Sequence, residues 1–208
     1  MRLLRLCILI LAACAIPAQS QQPAPANEPA YNIELIVFRT TTAQGGAENW
    51  SAQSSARGSF TYGGETSPGT GQVGRFVRLL PASAYQLTGL ANKLRASGVY
   101  VPVAHVAWTQ TASAWGTRAG FPLERLGANV EGLTGTVFLE RGQFLHLGMT
   151  LSYAMPDPPA GLGAGPGTVF TLSETRRIRF YERNYYDHPA FGVIALVTPA
   201  QGGRPAAR

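Results

Sequence analysis

Four arginines, Arg176, Arg177, Arg179 and Arg183, fall within eight residues and run directly into Tyr185, Tyr186, Asp187 and His188. Guanidinium forks match carboxylates through paired hydrogen bonds and aromatic faces stack, so the segment fits an acidic or sugar-rich partner. In a continuous strand Arg177, Arg179 and Tyr181 would share one face, with Ile178 and Phe180 on the other. Two readings stand for the charges. Glu140, Glu174 and Glu182 answer them in an exposed ion-pair ladder of little energetic worth, or the arginines face anionic groups of a partner.

Other chemistry is sparse. The three histidines, His105, His146 and His188, show no His-Glu-x-x-His spacing, and there is no Gly-x-Ser-x-Gly elbow. No catalytic residue, metal ligand or cofactor site is assigned, and the expected function is not enzymatic. Asp187-His188-Pro189 also reads as a turn in which the histidine bonds the backbone. Trp108 sits in a strand, where an aromatic is core unless it is exposed, and an exposed one would be a stacking platform for a sugar. Cys7 and Cys14 are the only cysteines. Both lie in the amino-terminal segment, which leaves the rest of the chain without disulfides or thiolates.

The elements that position these residues follow from periodicity. Tyr31 to Phe38 is a first strand, buried on both faces in its second half. Residues 40–74 form a long Gly-rich loop. Pro81 suits a first helical turn, Leu87, Leu90, Ala91 and Leu94 follow helical spacing, and Gly98 is a natural stop. Val99 to Gln110 reads as a strand whose Pro102 calls for an edge or an early position. Leu133–Leu139 and Phe144–Tyr153 flank Glu140-Arg-Gly-Gln143 as a hairpin, with Gly142 available for positive φ. In its second arm Leu145, Leu147, Met149, Leu151 and Tyr153 share the buried face. Residues 155–167 are a second Gly/Pro-rich loop. The cationic strand and the apolar strand Phe191–Val197 close the domain. The sum is an α+β domain, a mainly antiparallel sheet of about six strands with one helix packed on one face. The first strand is free to lie beside one distant in sequence.

Met1 to Ser20 has the layout of a secretory signal: a basic start at Arg2 and Arg5, an apolar run from Leu6 to Ile16, and small residues before Gln21. Cleavage after Ala18 is the near alternative. Leu11-Ala12-Ala13-Cys14 also has a lipobox pattern, so lipidation at Cys14 is a second form. The division expected is a signal over 1–20, a flexible leader over 21–30, one domain over 31–199 and a tail over 200–208. The apolar run is shorter than the ~20 residues of a membrane span, and no later run reaches that length. Without Arg2 and Arg5 the formal charge falls from +6 to +4, modest and local, which argues against a nucleic-acid binder.

The order Tyr31-Asn-Ile-Glu-Leu-Ile-Val-Phe-Arg39, Glu48-Asn-Trp50, His105-Val-Ala-Trp-Thr-Gln110, Phe144-Leu-His-Leu147, Arg176-Arg177 and Tyr185-Tyr-Asp-His-Pro-Ala-Phe-Gly-Val193 resembles the CsiV family of Gram-negative envelope proteins. The resemblance implies a periplasmic, non-enzymatic accessory to peptidoglycan assembly and cell shape. It also implies two partners, peptidoglycan and an outer-membrane lipoprotein activator of a penicillin-binding-protein synthase. Candidate contact residues are Arg176, Arg177, Arg179, Tyr181, Arg183, Tyr185, Asp187, His188 and Trp108. The alternatives are an envelope component that docks by strand addition, which an exposed edge at Pro102 would permit, and an uncharacterised hydrolase.

Overall fold

A computed structural model describes residues 28–42 and 76–200. The proposed signal, most of the 40–74 loop and the tail beyond residue 200 lie outside the described residues.

The chain forms strand β1 (Ala30–Thr40), short β2 (Val77–Leu79), helix α1 (Thr88–Ala96), β3 (Tyr100–Thr111), the two-residue strands β4 (Ser113–Ala114) and β5 (Phe121–Pro122), β6 (Leu133–Arg141), β7 (Leu145–Met155), β8 (Thr168–Arg177), β9 (Arg183–Tyr186) and β10 (Phe191–Pro199). The α+β class, the antiparallel pairing and the helix on a sheet face are as expected. The strands, however, divide between two sheets of five. The first has the order β2-β3-β1-β10-β9, and the second β4-β6-β7-β8 with β5 also on β6. Among the described residues the only parallel strand pair is β4 with β6.

Strand β1 explains the architecture. It is central, antiparallel to β3 on one side and to distant β10 on the other. Its odd-numbered residues Ile33, Leu35 and Val37 face the second sheet, where they meet Leu147, Met149 and Leu151 in the main core. Its even-numbered Ile36 and Phe38 face outward and are covered by Leu87 and Ala91 of the helical segment. A strand sandwiched between a sheet and a helix must be apolar on both faces, and this one is. Each such side chain contributes roughly 2 kcal/mol of burial.

Glu34 is the exception on the outer face. Its buried carboxylate accepts the backbone N–H groups of Gln86 (2.7 Å) and Leu87 (2.8 Å) and lies 2.7 Å from His105 Nε2. It supplies acceptors for the two N–H groups immediately ahead of α1, and negative charge there suits the helix dipole. The helix therefore starts at Thr88 rather than at Pro81, which instead precedes a separate 3-10 turn at Ala82–Ala84. Gly98, at φ +70°, ends the helical segment as its sequence suggested.

Pro102 lies early in β3, opposite Phe38 at a register shift. Strand β2 covers β3 only at Trp108, Thr109 and Gln110, so the missing N–H faces no neighbour there. The hairpin is confirmed, with Arg141 opposite Leu145. Gly142 does not adopt positive φ. Its lack of a side chain instead leaves room for Trp115, whose Cβ would lie 3.2 Å from an added Cβ. The 155–167 loop is ordered by Leu162, which joins the main core.

Candidate functional site

Strand β8 ends at Arg177, and residues 178–182 carry the chain from the second sheet to the first. The Ile178 N–H donates to Leu145 O (3.0 Å), extending the second sheet by one residue, and the Tyr181 N–H donates to Val197 O (3.0 Å) in the first. Tyr181 takes φ +65° at this crossing. The expected alternation of Arg177, Arg179 and Tyr181 on one strand face is therefore corrected: the strand stops before it can develop. Ile178 is buried, while Arg179, Phe180 and Tyr181 are exposed.

The crossing, the 142–144 turn and the start of β1 enclose an open groove of about 810 Å³. Arg141, Arg177 and Arg179 line it together with Tyr31, Phe144 and Phe180. The Arg177 guanidinium sits 3.4 Å from the centre of the Phe144 ring, and Phe180 stacks on Tyr31 at 5.8 Å. Arg141 donates to the Tyr31 hydroxyl. Burial raises the pKa of that hydroxyl against the opposing pull of Arg141, so it keeps its proton and can still donate. Among the described residues Glu182, paired with Arg179 at 3.6 Å, is the one acid in the lining. Among them, three guanidinium groups against one carboxylate leave an excess of two positive charges. Such a lining can hold carboxylates through forked hydrogen bonds and stack sugar or peptide planes on its rings.

Only part of the anticipated cluster converges here. Arg176 points elsewhere, paired with Glu174 and 5.3 Å from the centre of the Tyr186 ring. Arg183 is exposed on β9, opposite Leu196. Glu140 answers none of these arginines; it accepts the backbone N–H groups of Gly116 and Arg118. Tyr181 stands 70% exposed at the turn tip, outside the groove lining. Trp108 is corrected from candidate to core: it is 0% exposed, and its Nε1 donates to Gln110 Oε1 at 2.7 Å. No ring face is left for a sugar.

The aromatic corner lies in a different place. Tyr185 donates to Asp187 Oδ1 at 2.7 Å, and buried His188 accepts the Ala190 N–H at Nδ1 (3.2 Å), the backbone contact of a turn. The Tyr186 hydroxyl crosses the core to Leu147 O in the second sheet at 3.0 Å. Burial raises the pKa of both tyrosines, with Asp187 adding to the rise at Tyr185. The three histidines stay apart: His105 is on Glu34, His146 is against Trp115 at 4.2 Å, and His188 is in this corner. Among the described residues no three His, Cys, Asp or Glu side chains are grouped to hold a metal.

A family model described as "Peptidoglycan-binding protein, CsiV" matches residues 4–200, nearly the whole chain. The chain belongs to the CsiV family. No curated protein and no solved structure matches it. In this CsiV protein no helix among the described residues is long and apolar enough to cross a membrane.

Sequence reasoning missed Tyr31, Arg141, Phe144 and Phe180 as site residues. A signal existed for two of them. Once the hairpin is recognised and β8 is laid along β7, Arg177 falls opposite His146, two residues from Phe144 and close to the Arg141 turn.

Proposed function

We propose that this CsiV protein is a periplasmic, non-enzymatic accessory that binds peptidoglycan and supports wall assembly and cell shape. The observation that carries the reading is the groove at the sheet crossing, cationic and aromatic at once, in a chain whose family is described as peptidoglycan-binding. Peptidoglycan offers the matching groups: stem-peptide carboxylates for Arg141, Arg177 and Arg179, and planar amide or sugar faces for Phe144 and Phe180. Export by residues 1–20, or anchoring through Cys14, belongs to the same proposal. So does a protein partner of the kind the resemblance brings, an outer-membrane lipoprotein that activates a penicillin-binding-protein synthase. The action is positioning rather than chemistry.

Co-sedimentation with purified sacculi tests it. The protein pellets with sacculi at about 50 mM salt and markedly less at about 300 mM, since screening shortens the reach of exposed charges. An Arg177→Ala, Arg179→Ala double variant weakens binding about tenfold, the scale of losing charge-assisted hydrogen bonds. Arg183→Ala, outside the groove, leaves it unchanged. Binding that survives the double substitution would move the site, and no sedimentation at either salt would refute direct wall binding.

A second reading has one observation in its favour. Among the described residues strand β8 is a ten-residue edge paired only with β7, and its outward Val169, Thr171, Ser173 and Thr175 carry no charge, the strand's charges being gathered at its end in Glu174, Arg176 and Arg177. Natural edges are usually blunted by charge or proline, so this one could accept a strand from another chain. Mass that grows with protein concentration in light scattering, and is abolished by Ser173→Pro, would favour it.

A further inference from the structure

The corner at Tyr185 borders a second groove, of about 430 Å³, over the outer face of the first sheet. Its walls are Tyr100 and Tyr185, its floor is Phe38 with Ile194, Leu94 of α1 closes one side, and Asp187 stands at the rim. Phe38 lies under Tyr185 in a nearly parallel stack (6.1 Å, 12°) and meets Tyr100 edge-on (5.3 Å, 83°). The two tyrosine rings therefore stand close to perpendicular, as two sides of an aromatic corner.

Three features indicate that this corner is built rather than incidental. Tyr185 remains 44% exposed although its ring is packed from beneath. Its hydroxyl is fixed on Asp187 Oδ1, which orients both groups toward the groove. Gly192 makes the arrangement possible: an added Cβ would lie 2.8 Å from Phe38 Cζ and 2.9 Å from Tyr185 Cε2. Any other residue there would lift the ring from its seat.

The lining selects the ligand. Among the described residues it includes no lysine or arginine, one carboxylate and the buried His188, so it does not suit the stem-peptide carboxylates that the first groove attracts. Aromatic faces pack against the C–H face of a pyranose ring, a carboxylate accepts its hydroxyls, and apolar Leu94 and Ile194 suit a methyl group. We propose that this groove binds one N-acetylated hexosamine ring of the wall glycan, while the arginine groove binds stem peptide. The protein then reads sugar and peptide at separate places. This inference rests on the peptidoglycan reading and adds a sugar site to it.

Titration calorimetry with the full-length protein tests it, using glycan chains stripped of stem peptides by an amidase and, in parallel, intact sacculi in sedimentation. Peptide-free glycan binds the parent protein, and added salt does not weaken it because the described lining offers no lysine or arginine. Tyr185→Ala and Gly192→Ala each weaken glycan binding about tenfold, the scale of a lost aromatic contact. Asp187→Asn, an exposed and nearly isosteric change, weakens it without disturbing the fold, and circular dichroism checks all three. The Arg177→Ala, Arg179→Ala variant keeps glycan binding while losing affinity for intact sacculi. Sacculi that bind while peptide-free glycan does not would overturn the sugar site and leave the peptidoglycan reading standing. Glycan binding indifferent to all three groove substitutions would overturn it too, as would competition by free diaminopimelate but not by N-acetylglucosamine. Failure of sacculi and glycan alike would remove both.

Discussion

At the scale of single residues, His188 shows how a polar group inside a motif can be structural and still leave a measurable trace. Its ring lies between Phe170 (5.7 Å) and Phe191 (5.0 Å). Burial holds its pKa below the usual 6.5 despite the opposing pull of Asp187. The folded chain therefore resists protonation that the unfolded chain accepts once the pH drops below about 6.5. His188 costs no stability above that pH and an increasing amount below it, until the folded-state pKa is reached. Asparagine at this position can accept the Ala190 N–H without titrating. His188→Asn should flatten the fall in melting temperature between about pH 7 and pH 5 relative to the parent protein. An unchanged slope would assign the acid sensitivity to other groups. The histidine's backbone role was legible in Asp-His-Pro; its burial was not, because that comes from Phe170 on the other sheet.

Elements with a strict period were the readable ones, and what bounded them came from afar. The β6–β7 hairpin follows from alternation alone, yet Gly135 within it has a role that alternation does not reveal. It takes φ +136°, and an added Cβ would lie 2.2 Å from the Thr150 carbonyl oxygen and 2.8 Å from Leu151 Cα. Gly135→Ala combines an unfavourable backbone angle with a backbone clash, and should cost about 3 kcal/mol. The readout is a lower urea midpoint with an unchanged slope; a loss under about 1 kcal/mol would mean the ladder bends with ease. Helix α1 was visible in its Leu spacing, but its start is set by Glu34, 52 positions upstream of Gln86. The sheet crossing was invisible for a related reason. Its left-handed residue is Tyr181, not glycine, so no local turn signal marks the place where one expected strand becomes β8 and β9.

For the whole molecule, the two sheets are joined by the apolar core and by the Tyr186 hydroxyl on Leu147 O. Tyr186→Phe keeps the ring and removes the tie, and should lower stability by about 1 kcal/mol in urea unfolding. A larger loss would mean that the bond also holds the crossing in place. This also bears on how much of the arginine groove could be foreseen. Arg177 and Arg179 were legible as charge, but their companion Tyr31 reaches them only through the closing of one sheet on the other. The separation of the arginines from Tyr185 and Asp187 has the same origin, since the crossing sends neighbouring residues to different surfaces.

The placement of β1 carries a further consequence, one of timing. As the chain emerges, amino terminus first, β1 appears before every other described strand and its partner β10 after all the rest; Thr40 bonds to Ala190, 150 positions later. Until then the central, largely buried β1 has one edge with nothing to pair with. Contacts that span so much chain form slowly, and an unpaired apolar edge invites association. Synthesis interrupted before Phe191 would thus yield not a smaller working protein but an adhesive fragment.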